Sequence, residues 1–159
     1  MKIGLCGASG RIGYPLYKYL ESKGNKVLGT YHNNPIDGLV KYDLRDGPID
    51  FFDKCDYVIL ASAYCNTPFC QDNQIEAYFL NVFMTNALLY HLSEKKIPTL
   101  WISSVAATEN LDTVYGKYKR LVEKYIKKEK LAVEYIRPGK TGPDNVQQLC
   151  KEIYVKINS

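Results

Sequence analysis

Gly7-Ala8-Ser9-Gly10-Arg11-Ile12-Gly13 is the stretch whose reading decides the fold. A short apolar run, Ile3 to Ala8, leads into it. An amphipathic run, Arg11 to Lys23, leads out, with Ile12, Leu16, Tyr19 and Leu20 at helical spacing and Gly24 as the stop. Strand, glycine turn and helix in that order make a phosphate-binding corner. The first glycine permits the tight turn, the second lets the backbone approach a pyrophosphate, and the third lets the helix pack close to the strand. The free N–H groups and positive dipole end of the helix then face the phosphates. Gly7, Ser9, Gly10, Arg11, Ile12 and Gly13 are therefore candidate cofactor-binding residues.

Downstream, short apolar runs alternate with longer amphipathic ones. Strands are expected at Val27–Tyr31, Leu39–Leu44, Tyr57–Ala61, Thr99–Ser103 and Val133–Ile136. Helices are expected at Gln71–Lys95 and Tyr115–Lys128, with a brief helical or turn segment around Ile49–Lys54. Asp144–Lys151 reads as a last short helix and Ile153–Ile157 as an alternating edge strand. This alternation predicts an α/β, doubly wound parallel sheet, a Rossmann fold with helices on both faces. With 159 residues there is room for one domain, residues 1–159, and no linker or repeat interrupts it.

Composition narrows the function classes. Apolar residues are 46% and charged residues 24% of the chain, a balance that excludes a disordered chain. The net charge is only +4, and the basic run Lys117–Lys130 reads as a solvated helix face without a base-reading motif, so no nucleic-acid partner is expected. No apolar stretch has the length of a signal peptide or a membrane span. The five cysteines, lacking CxxC spacing, read as free thiols of a reducing compartment; a cytoplasmic protein is expected.

The end of the second strand bears on which dinucleotide is bound. Acid-bearing sites there hold ribose hydroxyls, but this chain has Gly29-Thr30-Tyr31-His32-Asn33. With Arg11 inside the glycine loop, near where a 2′-phosphate would sit, the expectation is NADP(H) over NAD(H); Thr30 is a candidate cofactor contact, and His32 is either a hydrogen-bond partner of that phosphate or a solvated loop histidine. Asp43, followed by Leu44, is placed to accept from the adenine amino group or to cap a turn.

Several pieces in order now carry a resemblance: Gly7 to Gly13; Gly29-Thr30-Tyr31; Tyr42-Asp43-Leu44; Asp56 to Ala63; Asn81; Ser103-Ser104; Tyr115-Gly116-Lys117-Tyr118-Lys119; Arg137-Pro138-Gly139; Gly142-Pro143. The chain resembles the extended short-chain dehydrogenase/reductases of the NAD-dependent epimerase/dehydratase group, and within it the dTDP-4-dehydrorhamnose reductase branch. The resemblance implies hydride transfer to or from a carbonyl or alcohol on a small molecule, a nucleotide sugar among the candidates. Tyr115 would be the general acid/base and Lys119 its partner four residues on, on the same helix face, also holding the nicotinamide ribose. A lysine ammonium beside a phenol is expected to lower the phenol's pKa. Ser104 would hold the substrate oxygen, with Ser103 the lesser candidate. Ala61, Ser62, Ala63, Asn81 and Pro138 would line the ribose and nicotinamide. No metal is implied. The family also implies a homodimer through the 71–95 and 113–128 helices, on which Tyr78, Phe79, Phe83 and Tyr90 widen the apolar surface.

Two features depart from that pattern. The loop between Ser104 and Tyr115 is short, and residues 140–159 are too few for the substrate domain that family members carry. Three readings stay open: a minimal reductase or epimerase, an NADP-binding sensor or regulatory subunit without turnover, and a shortened remnant of a nucleotide-sugar enzyme.

Overall fold

The computed structural model describes residues 1–47 and 50–159. Six strands form one sheet: β1 (Lys2–Cys6), β2 (Lys26–Tyr31), β3 (Val40–Lys41), β4 (Tyr57–Leu60), β5 (Thr99–Ile102) and β6 (Val133–Ile136). Their order is β3-β2-β1-β4-β5-β6 and every pairing is parallel. This is the doubly wound Rossmann arrangement. The order reverses beside β1, so a crevice opens at the C-terminal ends of β1 and β4.

Alternation along the strands sends side chains to two apolar layers. Ile3, Leu5, Ile59, Leu100 and Ile102 face one layer with Leu16 and Leu20 of α1 (Gly13–Ser22). Val58, Leu60 and Trp101 face the other. There they meet Leu88, Leu89 and Leu92 of α4 (Thr85–Glu94), and Val122 and Ile126 of the helix Val114–Lys128. Fully burying each such side chain contributes about 1.5–3 kcal/mol, and this double burial makes the central strands almost wholly apolar.

Three segments differ from their sequence reading. The third strand is only Val40–Lys41, because the Asp43 carboxylate accepts from the Arg45 backbone N–H at 2.9 Å and turns Leu44–Asp46 into a 3-10 turn. Of the brief 49–54 segment, Ile49 lies outside the described residues, and Asp50–Phe52 is a 3-10 turn. The expected 71–95 helix begins earlier, at α2 (Thr67–Asp72), where the Asn66 side chain accepts from the Phe69 N–H. It breaks at Asn73, resumes as α3 (Gln74–Tyr78), and passes through a π turn, Phe79–Met84, before α4.

After β5 come α5 (Ala106–Glu109) and α6 (Val114–Lys128), the latter capped by the Thr113 hydroxyl on the Gly116 N–H. The C-terminal reading is corrected. Pro143–Ile157 is one continuous helix, α7, and residues 153–157 form no edge strand. Leu149, Cys150, Ile153 and Ile157 recur at helical spacing and pack in the α1 layer, while Val155 is 67% exposed. The every-other-residue pattern of Ile153, Val155 and Ile157 is thus not a strand face.

Candidate dinucleotide and catalytic cleft

The crevice is a cleft of about 580 Å³ along the C-terminal rim of the sheet. At one end Gly7 turns with φ +86°, a left-handed conformation that glycine adopts without strain. A side chain there would also meet Ser62 Oγ at 2.7 Å. Thr30 fixes this turn from β2: its hydroxyl accepts from the Gly7 N–H at 3.1 Å and its carbonyl from the Ala8 N–H at 2.7 Å. Gly13 does not line the cleft but makes it possible, since a Cβ on it would lie 2.0 Å from the Gly7 carbonyl oxygen. That contact is the close helix-to-strand approach expected of the third glycine. The loop therefore fits a pyrophosphate cradle by its own sterics.

Gly7, Ser9, Gly10, Arg11 and Ile12 line the cleft at this end, with Thr30, His32, Asp43 and Leu44 beside them. Arg11 is exposed and makes no ion pair among the described residues. Asp43 is engaged on several sides, as turn cap, as acceptor from Arg45 Nη2 at 2.6 Å, and as partner of His32 Nε2 at 3.0 Å. The Arg45 hydrogen bonds hold its carboxyl down to about 2. Arg45 was not legible as a site residue; its meaning comes from Asp43, and it reaches on to Glu76 at 3.5 Å.

At the other end Ala61, Ser62, Ala63, Ser104, Tyr115 and Pro138 line the cleft, together with Tyr64, Cys65 and Ser103. Asn81 is 3% exposed and stands behind this wall. Its Oδ1 accepts from the Tyr64 N–H at 2.8 Å and its Nδ2 donates to the Tyr64 carbonyl at 3.0 Å, pinning the segment after β4. Lys119 also stands behind the wall, its Nζ donating to the Ile102 carbonyl at 2.8 Å.

The electrostatics differ from the expectation of a lowered phenol pKa. Burial dominates at Tyr115 and pushes its pKa up, an effect that the Ser104 hydroxyl only partly offsets. Burial likewise pushes Lys119 down to about 8. Both shifts disfavour charge, as desolvation does.

A network that sequence reading missed stands behind this end of the cleft. Ser103 donates to Glu123 Oε1 at 2.6 Å, and Arg137 donates to both Glu123 oxygens, Nε at 2.8 Å and Nη2 at 2.6 Å. The available signal was Glu123 standing four residues beyond Lys119 on the same helix face.

A dinucleotide-binding α/β domain is the class this sheet order and glycine cradle define. The sequence profile of the NAD dependent epimerase/dehydratase family matches residues 3–138, and the chain belongs to that family. No curated protein sequence matches it. Among solved structures it is similar to a hypothetical dTDP-4-dehydrorhamnose reductase from Sulfolobus tokodaii, with a TM-score of 0.84 and 21% identity over 99% of this chain and 72% of that one. It is similar to the Bordetella bronchiseptica enzyme WbmH, solved with NAD+, with a TM-score of 0.77 and 13% identity over 99% of this chain and 72% of that one. A Thermus thermophilus UDP-glucose 4-epimerase in complex with NAD gives a TM-score of 0.71 and 15% identity, over 86% of this chain and 54% of the epimerase. The five cysteines are free, and no helix among the described residues is long and apolar enough to cross a membrane.

Proposed function

We propose that residues 1–159 form one dinucleotide-binding unit that catalyses NAD(P)-dependent hydride transfer at a carbonyl or alcohol, with a nucleotide-sugar-related substrate. The observation that carries this reading is that Ser104 and Tyr115 line the same cleft as the glycine loop. A nicotinamide dinucleotide supplies the hydride when bound. The Gly7–Gly13 loop would hold its pyrophosphate, and Ala61–Ala63 and Pro138 would flank its nicotinamide. The Ser104 hydroxyl would hold the substrate oxygen, and Tyr115 would pass its phenolic proton to that oxygen as the carbon is reduced. Burial keeps Tyr115 protonated at neutral pH, which suits the donating, reductive direction.

Arg11, exposed on the cleft rim, and the absence of an acid at the end of β2 support NADP(H) over NAD(H). The exposed Phe79 and Phe83, ring-stacked at 5.7 Å, support a homodimer through the 71–95 and 113–128 helices.

Titration with NADPH and NADH, read by energy transfer from Trp101, tests the cofactor choice, and tight NADH with weak NADPH would overturn it. Carbonyl-dependent NADPH oxidation should vanish in Tyr115→Phe; full activity in that variant sinks the catalytic assignment. A second reading, an NADP-binding sensor or regulatory subunit without turnover, is favoured by the turning of Lys119 Nζ toward Ile102 and off the cleft. It predicts dinucleotide affinity without hydride exchange, and the same affinity in Tyr115→Phe.

A further inference from the structure

Lys119 is 4% exposed, and its ammonium stands over an aromatic face. Nζ lies 4.6 Å from the centroid of the Trp101 ring and 5.7 Å from that of Tyr115. Trp101 is 1% exposed and is the chain's sole tryptophan. Its own placement is fixed from the side by Tyr135, whose ring meets it edge-on at 6.3 Å, and Arg137 in turn covers Tyr135 at 5.5 Å.

The titratable groups around Lys119 favour its charge, but among the described residues none of them accepts a hydrogen bond from its ammonium. Cys65 and Cys70 face it from the segment after β4, and Tyr115 and Glu123 from its own helix. The Glu123 oxygens are already taken by Ser103 and Arg137. The Ile102 carbonyl accepts one hydrogen bond, against three N–H groups on an ammonium. What remains is the negative face of the indole, the best of the aromatic rings for a cation.

We propose that Trp101 is a positioning residue for the chemistry of this cleft: its ring face holds the Lys119 ammonium in the charged form and aims it along the Tyr115 ring. The proposal rests on the reading of Tyr115 and Lys119 as the proton-handling pair. Burial, only partly offset by Cys65, Glu123 and Cys70, pushes Lys119 down to about 8. The indole opposes that push, so an aliphatic side chain at position 101 should let the amine lose its proton at still lower pH.

The test is an NMR titration of protein carrying lysine labelled at the ε carbon, without dinucleotide or substrate, so that a chain failing to bind a cofactor still decides it. One lysine ε-methylene signal should be displaced upfield by the indole ring current and be absent in Lys119→Arg. Its titration midpoint should fall by about one pH unit in Trp101→Leu, with the upfield displacement lost. Trp101→Phe should keep most of both. Where Trp101→Leu fails to fold, Trp101→Phe decides, with a small downward shift expected. No displaced lysine signal in the wild type, or an unchanged midpoint in the folded variant, overturns the proposal. In turnover, the alkaline limb of kcat/KM should move down with the midpoint. Lost activity with an unmoved limb marks a merely structural role and also overturns it.

Discussion

Glu123 and Arg137 form a two-point ion pair that ties α6, carrying Tyr115 and Lys119, to the loop carrying Pro138. The Glu123 side chain is 5% exposed, so its charge is compensated almost wholly by protein groups. Replacing it with glutamine keeps the shape and removes the charge. Glu123→Gln should lower unfolding stability by about 2–3 kcal/mol, read by urea denaturation at neutral pH.

The same carboxylate sets an acid limit. Burial pushes Glu123 up, but the hydrogen bonds from Arg137 and Ser103 outweigh it and leave the group below its ordinary value. A carboxyl depressed in the folded state contributes stability that is present above its unfolded pKa, about 4.3, and is lost as pH falls through the folded value. Urea midpoints should therefore drop below about pH 4.5 in the wild type, and less steeply in Glu123→Gln. Parallel slopes in the two proteins would contradict this.

Gly13 and Gly139 form a contrasting pair. A Cβ at Gly13 collides with the Gly7 carbonyl, whereas one at Gly139 meets nothing within 4 Å. Gly13→Ala should cost about 3 kcal/mol and abolish dinucleotide binding. Gly139→Ala should change stability by less than about 0.5 kcal/mol. Thermal melts with a binding titration check both.

Asn81 holds Tyr64 by two backbone hydrogen bonds from inside the π turn. Asn81→Ala should cost about 2 kcal/mol, from two lost bonds and unsatisfied Tyr64 groups. Hydrogen exchange should show the Tyr64 amide opening well before the β4 amides. An equally protected Tyr64 amide in the variant would show that the wall stands without it.

Phe83 is 57% exposed and stacks on Phe79. If α3, α4 and α6 pair with their copies, Phe83→Asp should shift the sedimenting species from dimer to monomer without lowering the melting temperature of the monomer. An unchanged dimer would place the contact elsewhere.

Much of the fold was legible because its signals are local. The glycine loop lies between one strand and one helix, and the apolar runs at Tyr57 and Thr99 mark strands buried on both faces. The helix containing Asn81 was not legible in detail, since neither proline nor glycine marks the break at Asn73 or the π turn. The C-terminal helix was misread because Ile153, Val155 and Ile157 alternate like a strand, and only packing on the α1 layer decides between the two periods. Loop and rim residues named from the sequence line one cleft. The pairings that tune them, Arg45 with Asp43 and Arg137 with Glu123, depend on side-chain geometry that spacing does not reveal. Asp43 was legible as either acceptor or cap, and the structure uses it as a cap.

The π turn seats one extra residue within the 74–94 helical run. It lets Asn81 point inward while Phe79 and Phe83 point outward, with the Thr85 hydroxyl bonded to the Leu80 carbonyl inside it. Removing one residue from 79–84 would restore ordinary helical bonding and leave α3 and α4 nearly in phase, since the turn takes up its one extra residue locally. Such a deletion should leave helix content nearly intact while turning the amide off Tyr64. The length of this turn, more than its composition, thus determines which side chains reach the cleft wall.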